Sequence, residues 1–153
     1  MVDLAKILLN AMSHAIGLPQ NYFDHCLQDS LCFLRLIHYP PTLDNADSQG
    51  FKAGTHTDYG CVTILAQDEV GGLQVQDVNG NWIDAPPIPN TYVINIGDMM
   101  ARWSNDLYKS TPHRVSSPKE KQRFSFPFFI QPSPKTIIRC LPNCYNESNP
   151  PKY

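Results

Sequence analysis

The chain has 153 residues, 42% of them hydrophobic and 17% charged, with a net charge of −2. That length suits one domain with one core, and a charged fraction below the usual ~25% excludes a disordered chain. The near-neutral balance gives no basis for nucleic-acid or acidic-membrane binding, and no apolar run approaches the ~20 residues of a membrane span.

Val2 to Ile16 places Leu4, Ile7, Leu8, Ala11, Met12 and Ala15 at helical spacing. Gly17 and then Pro19 stop that helix. The amino end lacks the basic start and cleavage site of a signal peptide. Gln20 to Asp29 reads as a short second helix. Leu31 to Tyr39 reads as a buried strand ended by Pro40-Pro41, and Thr42 to Lys52 as a polar loop. The rest is β-rich. Val62–Ala66, Leu73–Asp77, Trp82–Asp84, Thr91–Ile96 and Arg123–Ile130 are predicted strands, with Lys135–Cys140 as a further candidate. Asn79-Gly80 marks a hairpin whose two turn residues both require positive φ. Many short strands with turns between them predict an antiparallel sandwich or barrel. Asn146 to Tyr153 is polar and Pro-rich, with no capping element.

The five cysteines are odd in number and irregularly spaced. They predict a reducing, cytoplasmic setting rather than a disulfide framework. Cys140 and Cys144 form a C-x3-C pair without two further zinc ligands.

His56 and Asp58 stand two apart, and His113 follows at a distance. Two imidazoles and one carboxylate are the protein ligands of the non-heme Fe(II) facial triad, which leaves coordination positions open. Residues i and i+2 of a strand share a face, ~6.6 Å apart, so His56 and Asp58 can converge on one ion. On spacing alone a second reading stands level: a surface pair and a satisfied core histidine. His14, His25 and His38 have no carboxylate two residues away in a strand and read as structural or exposed.

Arg123 and Ser125 share one strand face; Phe124, Phe126, Phe128 and Ile130 share the other. The apolar set is expected to pack on a core or a covering helix. Arg123 would then face the interior, where an unpaired cation is costly. Its partner is either an internal Asp or Glu or the far carboxylate of a bound dicarboxylate, which a guanidinium grips with two parallel hydrogen bonds.

Taken together, Gly54-Thr55-His56-Thr57-Asp58-Tyr59-Gly60, Gly71-Gly72-Leu73-Gln74-Val75, Asn95-Ile96-Gly97-Asp98, Ser110-Thr111-Pro112-His113-Arg114-Val115 and Arg123-Phe124-Ser125 resemble the motifs of the iron/2-oxoglutarate dioxygenases, isopenicillin N synthase-like branch. The resemblance runs from about residue 31 to 142. It implies a mainly β fold: a double-stranded β-helix, or jelly roll, with amino-terminal flanking helices, here incomplete. The implied division is a helical flank (1–30), the jelly-roll domain (31–142) and a polar tail (143–153).

By the same resemblance His56, Asp58 and His113 match the iron ligands. Arg123 and Ser125 match the pair that binds the 5-carboxylate of 2-oxoglutarate, and Tyr39 a tyrosine that hydrogen-bonds the co-substrate. The implied chemistry uses Fe(II), 2-oxoglutarate and O2, with ascorbate as a candidate reductant. It releases succinate and carbon dioxide while hydroxylating or desaturating a small organic substrate. Ile37 stands where many plant members carry an asparagine.

Members of this branch are usually about twice as long. The chain therefore reads as a central and carboxy-proximal piece, whose exposed sheet edges a missing amino-terminal region or self-association would cover. Three rivals follow. One is a same-fold oxidase that does not use 2-oxoglutarate, since such enzymes retain R-x-S. Another is a truncated, catalytically silent metal- or ligand-binding domain. The third is a zinc hydrolase, which here lacks a dedicated general base.

Overall fold

The computed structural model describes residues 1–41, 52–116 and 120–153. Of the loop predicted at Thr42–Lys52, all but Lys52 lies outside the described residues.

Helix α1 covers Val2–Ala15. It ends as its glycine requires: Gly17 takes φ +72°, and the N–H groups of Gly17 and Leu18 return to the carbonyls of His14 and Ser13. The second helix, α2, is only Asp24–Leu27. Residues 20–23 form turns, so the predicted ten-residue helix shrinks to a single turn.

Among the described residues nine strands follow: β1 (Leu31–Leu34), β2 (Ile37–Tyr39), β3 (Ala53–His56), β4 (Val62–Gln67), β5 (Leu73–Gln76), β6 (Trp82–Asp84), β7 (Val93–Ile96), β8 (His113–Val115) and β9 (Arg123–Gln131). Helix α3 (Asp98–Trp103) lies between β7 and β8, and a 3-10 turn covers Pro142–Cys144. The strands form two antiparallel sheets. The first has the order β1-β9-β4-β7, with β2 also on β9; the second is β3-β8-β5-β6.

The single strand predicted at Leu31–Tyr39 is therefore two. Both parts pair with β9 in one continuous register, Leu34 opposite Phe128 and Ile37 opposite Ser125. Between them Arg35 faces Pro127. The Arg35 N–H donates to the Pro127 carbonyl at 3.0 Å, but proline has no N–H to return, and the ladder lapses for two residues. Nor is the segment buried, Tyr39 at its end excepted. It forms a sheet edge where Leu36 is 74% exposed and Leu31, Phe33 and Leu34 are also open.

The Asn79-Gly80 hairpin is present as the β5–β6 connection, but wider than a two-residue turn. Only Gly80 has positive φ. The Asp77 carboxylate accepts from the N–H groups of Asn79 and Asn81 and closes the loop. Lys135–Cys140 is no strand. A turn returning the Thr136 N–H to the Ser133 carbonyl leads it past Tyr22, Cys26 and Trp103, where no strand lies beside it. Neither α3 nor β8 is visible to periodicity.

Alternation along β4, β7 and β9 sorts the side chains into two layers. Val62, Ile64, Phe128 and Ile130 face α1 and α3 and form the main core with Leu9, Phe23, Met100 and Trp103. Phe124 and Phe126, on that same face, lie beyond the helices and remain 37% and 38% exposed. Thus the apolar stripe of β9 is covered over only half its length. Residues of opposite parity look toward the second sheet, where Tyr39, Leu65, Leu73 and Val115 form a smaller core.

Candidate functional site

A cavity of about 220 Å³ opens between the two sheets. The first sheet contributes Tyr39, Thr63, Asn95, Arg123 and Ser125; the second contributes His56 and His113. Asp58 follows β3 in the connection to β4. The register joins the two sequence-distant imidazoles: His56 is the β3 partner of His113 on β8, and their rings lie 4.3 Å apart. Strand alternation accounts for His56 alone, because β3 ends there and Asp58 reaches the site from the turn beyond.

One ligand-capable atom from each of His56, Asp58 and His113 lies within 4.8 Å of the other two, and no other such group of three occurs among the described residues. His113 Nε2 is 3.6 Å from Asp58 Oδ1. The outer nitrogens fix the tautomers. His56 Nδ1 lies 2.7 Å from the Gly54 carbonyl and His113 Nδ1 3.0 Å from that of Thr111. A carbonyl only accepts, so each Nδ1 carries a proton, which in the neutral ring leaves Nε2 as the nitrogen available to a metal.

Asp58 is 6% exposed, and its Oδ2 is buried with no hydrogen-bond partner. Such an atom is costly unless a cation or donor meets it. The donor set fits Fe(II): two neutral nitrogens, one anionic oxygen and an open side toward the cavity. A shared ion about 2.1 Å from each donor needs them about 3 Å apart, so modest closure would accompany binding.

Arg123 is 1% exposed. Its Nη2 donates to Gln67 Oε1 at 3.2 Å and its guanidinium lies 4.9 Å from the centre of the Tyr39 ring. Nε and Nη1 are buried without partners. Among the described residues no carboxylate pairs with it, so the internal Asp or Glu partner finds no support there. Ser125, buried beside it, lines the same cavity. All six residues singled out in the sequence thus meet in one place.

Sequence reasoning missed Gln67, which holds one arm of Arg123, and assigned no role to Asn95, a buried amide on the cavity wall. Amides carry no local signature; only the pairing of Gln67 with Ser125 and of Asn95 with Thr63 finds them. The remaining histidines are exposed. His25 contacts the Tyr22 carbonyl and His38 stacks on Phe124. All five cysteines are free, and burial pushes the Cys61 thiol up to about 12.

A sequence profile described as the 2OG-Fe(II) oxygenase superfamily matches residues 20–132. The chain belongs to that family. It is 40% identical over 153 residues to the 2-oxoglutarate-Fe(II) type oxidoreductase hxnY of Emericella nidulans, covering 99% of this chain and 44% of that protein. It is 36% identical over 172 residues to a 1-aminocyclopropane-1-carboxylate oxidase of Dictyostelium discoideum, covering 94% and 47%. Among solved structures, a full-length Neurospora crassa protein in complex with alpha-KG and thymine superposes with a TM-score of 0.91 at 42% identity, covering 99% of this chain and 48% of that one. The family fold is the jelly roll, as the two sheets here display. The chain spans about half the length of the curated relatives it matches.

Proposed function

We propose that this protein is a non-heme Fe(II)- and 2-oxoglutarate-dependent dioxygenase that hydroxylates or desaturates a small organic substrate. One observation carries the reading. A buried, unpartnered carboxylate oxygen beside two imidazoles, and a buried guanidinium whose Nε and Nη1 have no partner, line the same cavity. A cation suits the first group and an anion the second; an iron–2-oxoglutarate chelate supplies both. His56, Asp58 and His113 would hold the metal, which when bound lets O2 and the co-substrate's keto acid react together. Arg123 and Ser125 would take the far carboxylate through charge-assisted hydrogen bonds. Tyr39, whose ring lies against the guanidinium, would restrain it and add a hydrogen bond to the co-substrate. Leu65, Leu73 and Val115 keep water from the buried end. O2 completes the reactants, and ascorbate would keep the metal reduced.

The Neurospora relative was solved with thymine, which supports a substrate of that size. The wall left for it includes Arg35 and Phe129, whose ring stacks on Phe33 at 5.0 Å. We also retain the division into a helical flank (1–30), a jelly-roll domain (31–142) and a tail (143–153). Its support is that α1 and α2 precede the first strand. The exposed β1 edge and the open Phe124–Phe126 stripe call for cover from further chain or from self-association. Free cysteines and modest net charge support a cytoplasmic enzyme without a nucleic-acid or membrane partner; no helix among the described residues is long and apolar enough to cross a membrane.

The decisive experiment is succinate formation from 2-oxoglutarate under air with Fe(II), with and without candidate small substrates. Succinate that requires both Fe(II) and O2, and is lost in His113→Ala, is the expected result. The likeness to an aminocyclopropane-carboxylate oxidase keeps one second reading, an oxidase that turns over substrate without making succinate. Iron bound with neither succinate nor substrate turnover would point to a catalytically silent domain.

A further inference from the structure

The Asp58 turn is held from behind by the amino end of α3. The Asp98 N–H donates to the Asp58 carbonyl at 2.7 Å, and the Met99 N–H is shared between the carbonyls of Tyr59 and Gly60 at 3.3 and 3.2 Å. First-turn N–H groups have no acceptor inside their own helix. No side chain caps α3; the backbone of the Asp58 turn does so instead. The Gly97 N–H adds a bond to the Cys61 carbonyl, and the Cys61 N–H one to Ile130 on β9.

This approach is close enough to dictate sequence. A Cβ on Gly97 would overlap the Gly60 carbonyl and stand 3.0 Å from the Asp58 carbonyl oxygen. A Cβ on Gly60 would stand 2.5 Å from the Ile130 carbonyl oxygen. These are main-chain atoms and cannot rotate away. Gly97 has an ordinary φ of −97°, so space alone requires the glycine. Asp98 then adds a side-chain hold: its Oδ2 accepts a hydrogen bond from Thr57 Oγ1 at 3.2 Å. Thr57 is the residue between His56 and Asp58.

We infer that Asp98 is a positioning residue for the metal. It grips the Thr57–Asp58 stretch twice, by its N–H and by its carboxylate, so that Asp58 presents its unpartnered oxygen to the two imidazoles before an ion arrives. Asp58 lies beyond the end of β3 and has no ladder of its own, so without this hold its carboxylate would be free to turn toward water. The inference rests on the metal-ligand reading given above. It extends that reading to a residue that touches neither ion nor co-substrate.

The test is an anaerobic titration of the intact protein with Co(II), read by its ligand-field absorption, alongside melting of the metal-free forms. Partners that orient metal ligands typically contribute about 10–100-fold in affinity, and one exposed bond belongs at the lower end. Asp98→Ala and Thr57→Val are each expected to weaken Co(II) about tenfold. Because the two share one bond, the double variant should be no worse than either single one. Asp98→Asn, which keeps an acceptor oxygen, should restore affinity to within about threefold of the parent. Loss of thermal stability with unchanged Co(II) affinity would mean that Asp98 merely starts a helix, and would overturn the inference. So would additive losses in the double variant, or an equal loss in Asp98→Asn. Indifference of Co(II) binding to His113→Ala would instead remove the metal reading itself, and the positioning role with it.

Discussion

Successive residues of β9 face two regions built on opposite terms. Phe128 and Ile130 point to the helices and are buried among apolar side chains, a gain of about 1.5–3 kcal/mol for each such side chain. Arg123 and Ser125 point between the sheets, beside the triad, where buried polar atoms remain without partners. Each such atom costs about 1–3 kcal/mol until something meets it. The helix-facing layer therefore stabilises strands whose other face is left unsatisfied for a ligand. Stability and chemistry divide by strand parity rather than by segment.

That division can be broken from either side. The largest effect should come from Asp58→Ala, which removes the anionic donor and should abolish iron-dependent turnover while leaving the metal-free melting midpoint unchanged or raised. Unaltered turnover would show that Asp58 is no ligand. On the opposite face, Ile130→Ala opens a cavity in the main core and should cost about 2–5 kcal/mol in denaturant unfolding, with Co(II) affinity unchanged in the folded fraction. Next, Arg123→Ala should weaken 2-oxoglutarate by the equivalent of about 1.5–3 kcal/mol without weakening Co(II). Calorimetric titration of each ligand separates the two, and equal losses would make Arg123 structural.

Thiol chemistry sharpens the contrast further. With its thiol pushed up to about 12 by burial, Cys61 should resist alkylation at pH 8 until the protein unfolds, while the half-exposed Cys32 and Cys140 react first. Peptide mapping after brief labelling checks the order. The smallest effect lies in the tail, where Asn105 bonds the Pro150 carbonyl and Lys152 pairs with Asp106 at 2.8 Å. The Lys152 bond holds the Asp106 carboxyl below its ordinary range, so its stabilisation is present above about pH 4 and fades as pH falls through the depressed value. Asp106→Asn should lower the melting midpoint by about 2 °C at pH 7 and by nothing in strong acid.

How much of this was legible in the chain depended on how local the cause was. The faces of Arg-x-Ser and Phe-x-Phe read correctly because period two persists along β9, but the expected cover over Phe124 and Phe126 is missing, since the helices reach only Phe128 and Ile130. The break at Arg35 does not, because its cause, Pro127, sits across the ladder. Helix α3 is six residues long, too short for a periodic signal, yet it anchors the Asp58 turn. Lys135–Cys140 has strand-like composition and lacks only a neighbour. His56 and Asp58 are only suggestive by spacing, since β3 ends at His56 and Asp58 arrives from the turn beyond; they and His113 needed the surrounding motifs, and the β3–β8 pairing then places the two histidines together.

The central claim is that one cavity holds a cation at His56, Asp58 and His113 and an anion at Arg123 close enough to be bridged by one small molecule. Its most direct test is anaerobic: load the protein with Fe(II), add 2-oxoglutarate, and follow the weak visible absorption of the chelate. The band should appear on addition, saturate at one equivalent per chain, and require far more 2-oxoglutarate in Arg123→Ala. Iron bound tightly with no band at any 2-oxoglutarate concentration would contradict the account.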